Sequence, residues 1–233
     1  MQKVLNDLYD YDLKIYQGLN SFKFSLDSIL LAEFVEFKST DGIILDMCTG
    51  NAPIPLILST KTPLKVVGFE IQDGIAKFAQ ESIDINNLEN RIQIINDDIK
   101  KIKNYYCAES FEIITCNPPF FKVADKSFVN ESEEKTIARH EIKINLQEII
   151  EIASYALINK GSFYLVHRPE RLQEILQYLT DSKLFAKKIQ FVYTDLNQTA
   201  QIVLIKAVKN GNVGTIVNKP ICVQNLNTYK NIF

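Results

Sequence analysis

The chain contains no tryptophan, and only two histidines, two methionines and four cysteines among its 233 residues. The cysteines, Cys48, Cys107, Cys116 and Cys222, form no CxxC pair. That spacing argues against a zinc site and against a disulfide framework, so no metal is expected. No apolar run approaches the ~18 residues needed to cross a bilayer. The opening MQKVLNDLYDYDLK is charged and lacks the apolar core of a signal peptide. The expectation is a chain in a reducing cytoplasm with no membrane partner. A strongly basic composition, a common mark of nucleic-acid binders, is absent: the formal net charge is −2 and the pI about 5.8. A GxGxxG loop for a dinucleotide pyrophosphate is absent too.

What is present suffices for a sizeable core. Hydrophobic residues make up 46% of the chain, with 14 Phe and 10 Tyr, and the length suits one large α/β domain. Charge is unevenly spread. From Asp181 onward Lys183, Lys187, Lys188, Lys206, Lys209, Lys219 and Lys230 face only Asp181 and Asp195, a net +5 that leaves −7 for residues 1–180. This is either a solvated surface or a locally positive face for phosphates.

Short apolar segments alternate with helical periodicities. Residues 25–37 read as a helix with Ser25 as N-cap. Strands are predicted at 42–47, 65–70, 91–96, 111–116 and 162–167, and helices at 53–59, 72–87, 144–159 and 169–181. Lys160-Gly161 is the predicted stop of the third of these helices. Segments 186–195 and 200–208 read as an antiparallel edge hairpin. The expected fold is α/β: a doubly wound, mainly parallel, seven-stranded Rossmann-like sheet with that hairpin at its C-terminal edge. The whole of 1–233 reads as a single domain, with a helix-bearing extension (1–40), a core (41–210) and a terminal strand or tail (211–233).

Ligands of such sheets bind beyond the carboxyl ends of the strands. The first predicted strand runs into Asp46 and the loop MCTGNAP, the second ends at Glu70, the third leads to Asp97-Asp98, and the fourth to Asn117-Pro118-Pro119-Phe120. Glu70 follows Gly50 by twenty residues, the usual interval for an acid that accepts from ribose hydroxyls. A single glycine, Gly50, suits a ligand with ribose and base but no pyrophosphate. S-adenosylmethionine is such a ligand.

The combination LDMCTGNAPIPL, VVGFEIQ, NDDI and NPPF resembles class I S-adenosylmethionine-dependent methyltransferases that act on amino groups. With FKFSLDSILLAEF, ARHE (138–141) and HRPERLQEI (167–175) it is similar to the tRNA1(Val) adenine N6-methyltransferase family, over about residues 10 to 210. The resemblance implies transfer to the N6 amino group of adenosine 37, next to the anticodon, with tRNA as partner. It implies that Asp46, Thr49, Gly50 and Asn51 form the loop beside the methionine moiety and that Glu70 binds the ribose. Asp98 would meet the cofactor adenine, with Ile71 and Ile99 packing on its faces, and Asp27 would help to close the pocket. Asn117, Pro118, Pro119 and Phe120 would form the catalytic turn, Asn117 binding the target amine and also bordering the cofactor, and Phe120 stacking on the target base. Arg139 and His140 would contact substrate. The chain departs from the usual glycine-rich loop at Cys48 and Ala52.

The chemistry of the turn follows from its residue types. An adenine amine is a poor nucleophile because its lone pair is delocalised, so the site must orient it. The Asn117 side-chain oxygen and the Pro118 carbonyl can each accept one N–H. Two prolines hold φ near −65° and offer no competing donor, and Pro119 keeps Pro118 extended. An aromatic face for an unstacked base is worth roughly 1–3 kcal/mol. A protein glutamine N5-methyltransferase acting on a release factor is the alternative, since it uses the same kind of turn on a planar amide. A silent binding module is disfavoured by the intact turn, and DNA methylation by the lack of an obvious recognition domain. Cys116 reads as a buried structural thiol, and Arg168 and Arg171 as structural. Oligomeric state stays open.

Overall fold

In the computed structural model, residues 2–18, 26–119 and 144–225 are described. Ser25, Phe120, Arg139, His140 and Lys230 lie outside them. The chain opens on a hairpin of β1 (Lys3–Leu8) and β2 (Leu13–Gly18), closed by a turn in which Asp12 takes φ 55°. Then follow α1 (Leu26–Phe34), β3 (Ile43–Met47), α2 (Pro53–Lys61), β4 (Lys65–Phe69), α3 (Asp73–Ile85) and β5 (Ile92–Ile95). A 3-10 turn (Ile99–Asn104), β6 (Phe111–Cys116), α4 (Leu146–Ala156) and β7 (Leu157–His167) complete the middle. The last part holds α5 (Leu172–Asp181), β8 (Leu184–Tyr193), β9 (Ile202–Lys209), β10 (Ile216–Val217) and β11 (Ile221–Cys222).

The main sheet runs β10-β8-β9-β7-β6-β3-β4-β5, with β11 also on β8. Seven of its strands are the expected ones, and β5, β4, β3, β6 and β7 are mutually parallel. Strands β8 and β9 pair antiparallel as expected, with β9 inserted between β7 and β8. The outer edge of β8 is covered by the two-residue strands β10 and β11. Side chains alternate across the sheet. Ile44, Val66, Ile113 and Tyr164 face a cluster with the hairpin, α1 and α2, whereas Leu45, Val67, Ile114 and Phe163 face one with α4 and α5. Both faces are therefore covered, which is why the parallel strands read as near-continuous apolar runs.

Two expectations change. The hairpin was not anticipated as strands; it is latched to α3, where Ser82 Oγ accepts from the Tyr16 N–H at 2.9 Å and Asn86 Oδ1 from the Lys14 N–H at 3.0 Å. Helix α4 ends at Ala156, not at residue 159. Its last carbonyls, on Tyr155 and Ala156, accept from the N–H groups of Glu109 and Ser110, so Leu157 passes directly into the sheet. Lys160, at φ 65°, marks the bulge there, where pairing with β6 jumps from Phe111↔Leu157 to Ile113↔Ser162.

Four of the seven lysines of the lysine-rich end are engaged by other groups of the chain. Lys188 and Lys206 both pair with Glu36, Lys209 bonds Glu109 and the Leu157 carbonyl, and Lys187 bonds the carbonyls of Asn212 and Gly214.

Candidate active site

The strand order β6-β3-β4-β5 lines up four carboxyl ends, and with them Asn117, the loop 48–52, Glu70 and Asp98. Three inter-strand spacings make this row about 15 Å long. The loop after β3 holds three left-handed residues, Cys48 (φ 56°), Gly50 (φ 59°) and Ala52 (φ 68°). The two that are not glycine carry a conformational cost of about 1–2 kcal/mol each. A Cβ at Gly50 would meet nothing within 4 Å, whereas one at Gly68 of β4 would come within 2.9 Å of Thr49 Oγ1. Gly68 thus makes room for the loop, and the space beside Gly50 is open.

Asp46 lies beneath the loop with no exposed surface. Its Oδ2 accepts from Thr49 and its Oδ1 from Thr115, both at 2.6 Å. Burial pushes its pKa up to about 7, opposed by the two threonine hydroxyls and aided by the Glu70 charge. In the unfolded chain this carboxyl loses its proton near 3.8. Between those values the native state holds the extra proton, so the contribution of Asp46 to stability falls as pH rises and is gone above 7. His167 works in the opposite sense, because burial, and next Arg171, depress its pKa to about 3. Comparing Asp46→Asn with the parent separates the two. In denaturant unfolding, the stability of the variant relative to the parent is expected to rise with pH from 4 to 7; a constant difference would contradict the assignment.

Glu70 is buried, with Oε2 accepting from the Gly50 N–H and Oε1 from the Gln72 N–H, both at 2.9 Å. Burial raises its pKa, and these backbone donors work against that rise. The Gln72 side chain and the Ile71 backbone also hydrogen-bond this carboxylate. Ile71, just past β4, is 38% exposed, while Ile99 is buried. The two neighbouring acids divide their tasks. Asp97 is held by Lys101 at 2.7 Å, the Asp98 N–H at 2.8 Å and Tyr105 at 2.9 Å, and the Lys101 bond leads in lowering its pKa to about 2. Asp98 caps the 3-10 turn through Oδ1 and lies 3.8 Å from the Lys100 ammonium through Oδ2.

Asn117 follows β6 and is half-buried, and Pro118 is buried. Its Nδ2 donates to Ser28 Oγ of α1 at 2.9 Å, which leaves its Oδ1 as the acceptor for a ligand amine. Asp27, beside Ser28, is buried in the first turn of α1. Asn51 donates through Nδ2 to the Tyr16 carbonyl of β2 at 2.9 Å. Cys116 is fully buried, and burial, then the Cys48 thiol, raise its pKa well above that of an ordinary thiol. Arg168 bonds the Gln201 carbonyl and Arg171 bonds Glu174. Sequence reasoning passed over Ser28 and Thr115; a hydroxyl inside the otherwise apolar FEIITC was the one signal for the latter.

A family model described as RNA methyltransferase matches residues 22–225. A tRNA1(Val) (adenine(37)-N6)-methyltransferase from Haemophilus influenzae (strain PittEE) is 29% identical over 201 residues, covering 85% of this chain and 83% of the relative. The counterpart from Haemophilus influenzae (strain ATCC 51907 / DSM 11121 / KW20 / Rd) is 30% identical over 204 residues with the same shares. A release factor glutamine methyltransferase from Thermodesulfovibrio yellowstonii is 27% identical over 177 residues, 71% of this chain and 62% of the relative. Among solved structures, a predicted O-methyltransferase from Agrobacterium tumefaciens superposes with a TM-score of 0.69 at 18% identity, over 88% of this chain and 91% of that one. P. horikoshii TYW2 in complex with MeSAdo superposes at 0.63 with 14% identity, over 90% and 72%.

Proposed function

The chain belongs to the RNA methyltransferase family, and on that premise we propose that it methylates the exocyclic N6 of adenine in tRNA, at adenosine 37 of a tRNA1(Val)-type substrate, using S-adenosylmethionine. The observation that carries the reading is the row Asp98, Glu70, open loop, Asn117 at adjacent strand ends, together with the tRNA-modifying relatives that match along most of their length. The residues fit the cofactor: exposed Ile71 is a platform for a flat base, Glu70 places a carboxylate at the end of β4 where ribose hydroxyls could donate, and the space beside Gly50 is open. S-adenosylmethionine supplies a methyl group already activated on a sulfonium, so no base stronger than an amide oxygen is required.

The chain's own part is orientation. Ser28 holds the Asn117 amide by its N–H, so Oδ1 and the Pro118 carbonyl can accept the two amine protons of the target. That fixes the amine and turns its lone pair toward the cofactor side, where β3 lies next to β6. Orientation and proximity of this kind supply most of the rate gain. Phe120 is proposed as the stacking face for the target base, with Arg139 and His140 as substrate contacts. Among the described residues no helix is long and apolar enough to cross a membrane, and we place the enzyme in the cytoplasm with its substrate, as one domain over 1–233.

Incubation with labelled S-adenosylmethionine and, separately, total tRNA, DNA and release factor tests the substrate. The expected product is N6-methyladenosine in digested tRNA. Label confined to protein glutamine would overturn the reading in favour of the release-factor activity that one relative carries.

A further inference from the structure

Gln17 of β2 is only 3% exposed, and its Nε2 meets no acceptor. Buried amide donors are nearly always paired, so such a group asks for an explanation. On a strand, Gln17 shares its face with Ile15, which is fully buried in the core under the hairpin. The residue between them, Tyr16, gives its carbonyl to Asn51 of the loop after β3. Gln17 therefore continues the buried face of β2 at the level of that loop.

The loop is poor in free side-chain donors of its own. The Thr49 hydroxyl is engaged by Asp46 and the Asn51 amide by Tyr16. Helix α2, which starts here, has no side-chain cap. Its first turn carries Pro53 and Pro55, neither with an N–H, and the Leu56 N–H already bonds the Ala52 carbonyl at 3.1 Å. Only Ile54 keeps a free first-turn N–H, where an anion at a helix start ordinarily finds several. With the base end of the cofactor at Asp98 and Ile71 and the ribose at Glu70, the strand order sends the amino-acid end toward this same loop.

Resting on the cofactor assignment above, we infer that the Gln17 side-chain N–H donates to the carboxylate of the amino-acid arm of S-adenosylmethionine. The N-terminal hairpin is then part of the cofactor site, and Gln17 is a cofactor-binding residue whose partner is a carboxylate.

Calorimetry with two probes tests this on the full chain: S-adenosylhomocysteine, which has the amino-acid arm, and methylthioadenosine, which lacks it. Gln17→Leu is expected to weaken the first about tenfold or more, as for a hydrogen bond to a charged acceptor, and to leave the second unchanged. The free Gln17→Leu protein is expected to melt at or above the parent temperature, because an unpaired buried amide is replaced by an apolar group of similar size. In the unmodified protein, the Gln17 side-chain amide resonance is expected to move on adding S-adenosylhomocysteine and to stay in place with methylthioadenosine. Equal loss of both ligands, unaltered affinity for S-adenosylhomocysteine, or an amide resonance that responds alike to both would overturn the inference. If the parent protein binds neither probe, the cofactor assignment itself has failed.

Discussion

Replacing Asn117 by alanine is expected to lower methyl transfer at least ~100-fold, the scale of misplacing one reacting group, while cofactor affinity stays close to that of the parent. The reason is positional. Asn117 stands at the end of β6, and its described partner is Ser28 of α1, whereas the acids that would hold base and ribose stand on β4 and β5. Removing the amide takes away an acceptor for the target amine and leaves Glu70 and its backbone donors in place. Single-turnover rates with tRNA, set beside calorimetry with S-adenosylhomocysteine, check both halves. Loss of cofactor binding in step with activity would contradict the role given to Asn117. Ser28→Ala should act in the same direction but less, since it frees the amide to rotate without removing its oxygen.

The second large effect belongs to Glu70. Glu70→Ala is expected to weaken S-adenosylhomocysteine binding by at least ~100-fold, because two hydrogen bonds to a charged acceptor are worth about 1.5–3 kcal/mol each. Part of the loss is internal, since the Gly50 and Gln72 N–H groups lose their acceptor and the loop loses its tie to β4. Glu70→Gln keeps one acceptor oxygen and should fall between the two. Because burial raises the pKa of Glu70, affinity in the parent should also decline as pH falls and the acceptor is protonated, a dependence that Glu70→Gln should lack. Calorimetry across pH with circular dichroism as a fold control measures this, and unchanged affinity in Glu70→Ala would refute the ribose assignment.

The main sheet was legible because buried parallel strands leave uninterrupted apolar segments, and each ended in a polar residue that marked its carboxyl end. Asp46, Glu70, Asp98 and Asn117 were found that way, and the structure brings their four strand ends into one row. The hairpin was not legible: KVLNDL and LKIYQG carry charges on their exposed side, and only Asp12 at φ 55° marks the turn. The end of α4 was misjudged because Leu157 is buried equally well on a helix or a strand, and the deciding bonds come from Glu109 and Ser110, far away in sequence. Ser28 escaped notice for a related reason. A hydroxyl or an amide reveals its task only through a partner from another element, and no spacing rule relates residue 28 to 117. The lysines of the last third show the reverse limit, since composition counts charges without seeing that Lys188 and Lys206 share Glu36.

The Asp46–Thr115 bond has one more consequence. These two residues are direct partners across β3 and β6, one step below Met47 and Cys116. A slip of one residue in that pairing would turn Thr115 to the opposite face of the sheet and leave Oδ1 of the buried Asp46 with no donor, Thr49 serving only Oδ2. The bond is therefore a registration mark between two strands. The same alignment sets the tip of β6 against the loop after β3, the gap that methyl transfer would cross in the proposed site. On that assignment, the spacing between donor and acceptor follows from strand register rather than from the loops alone.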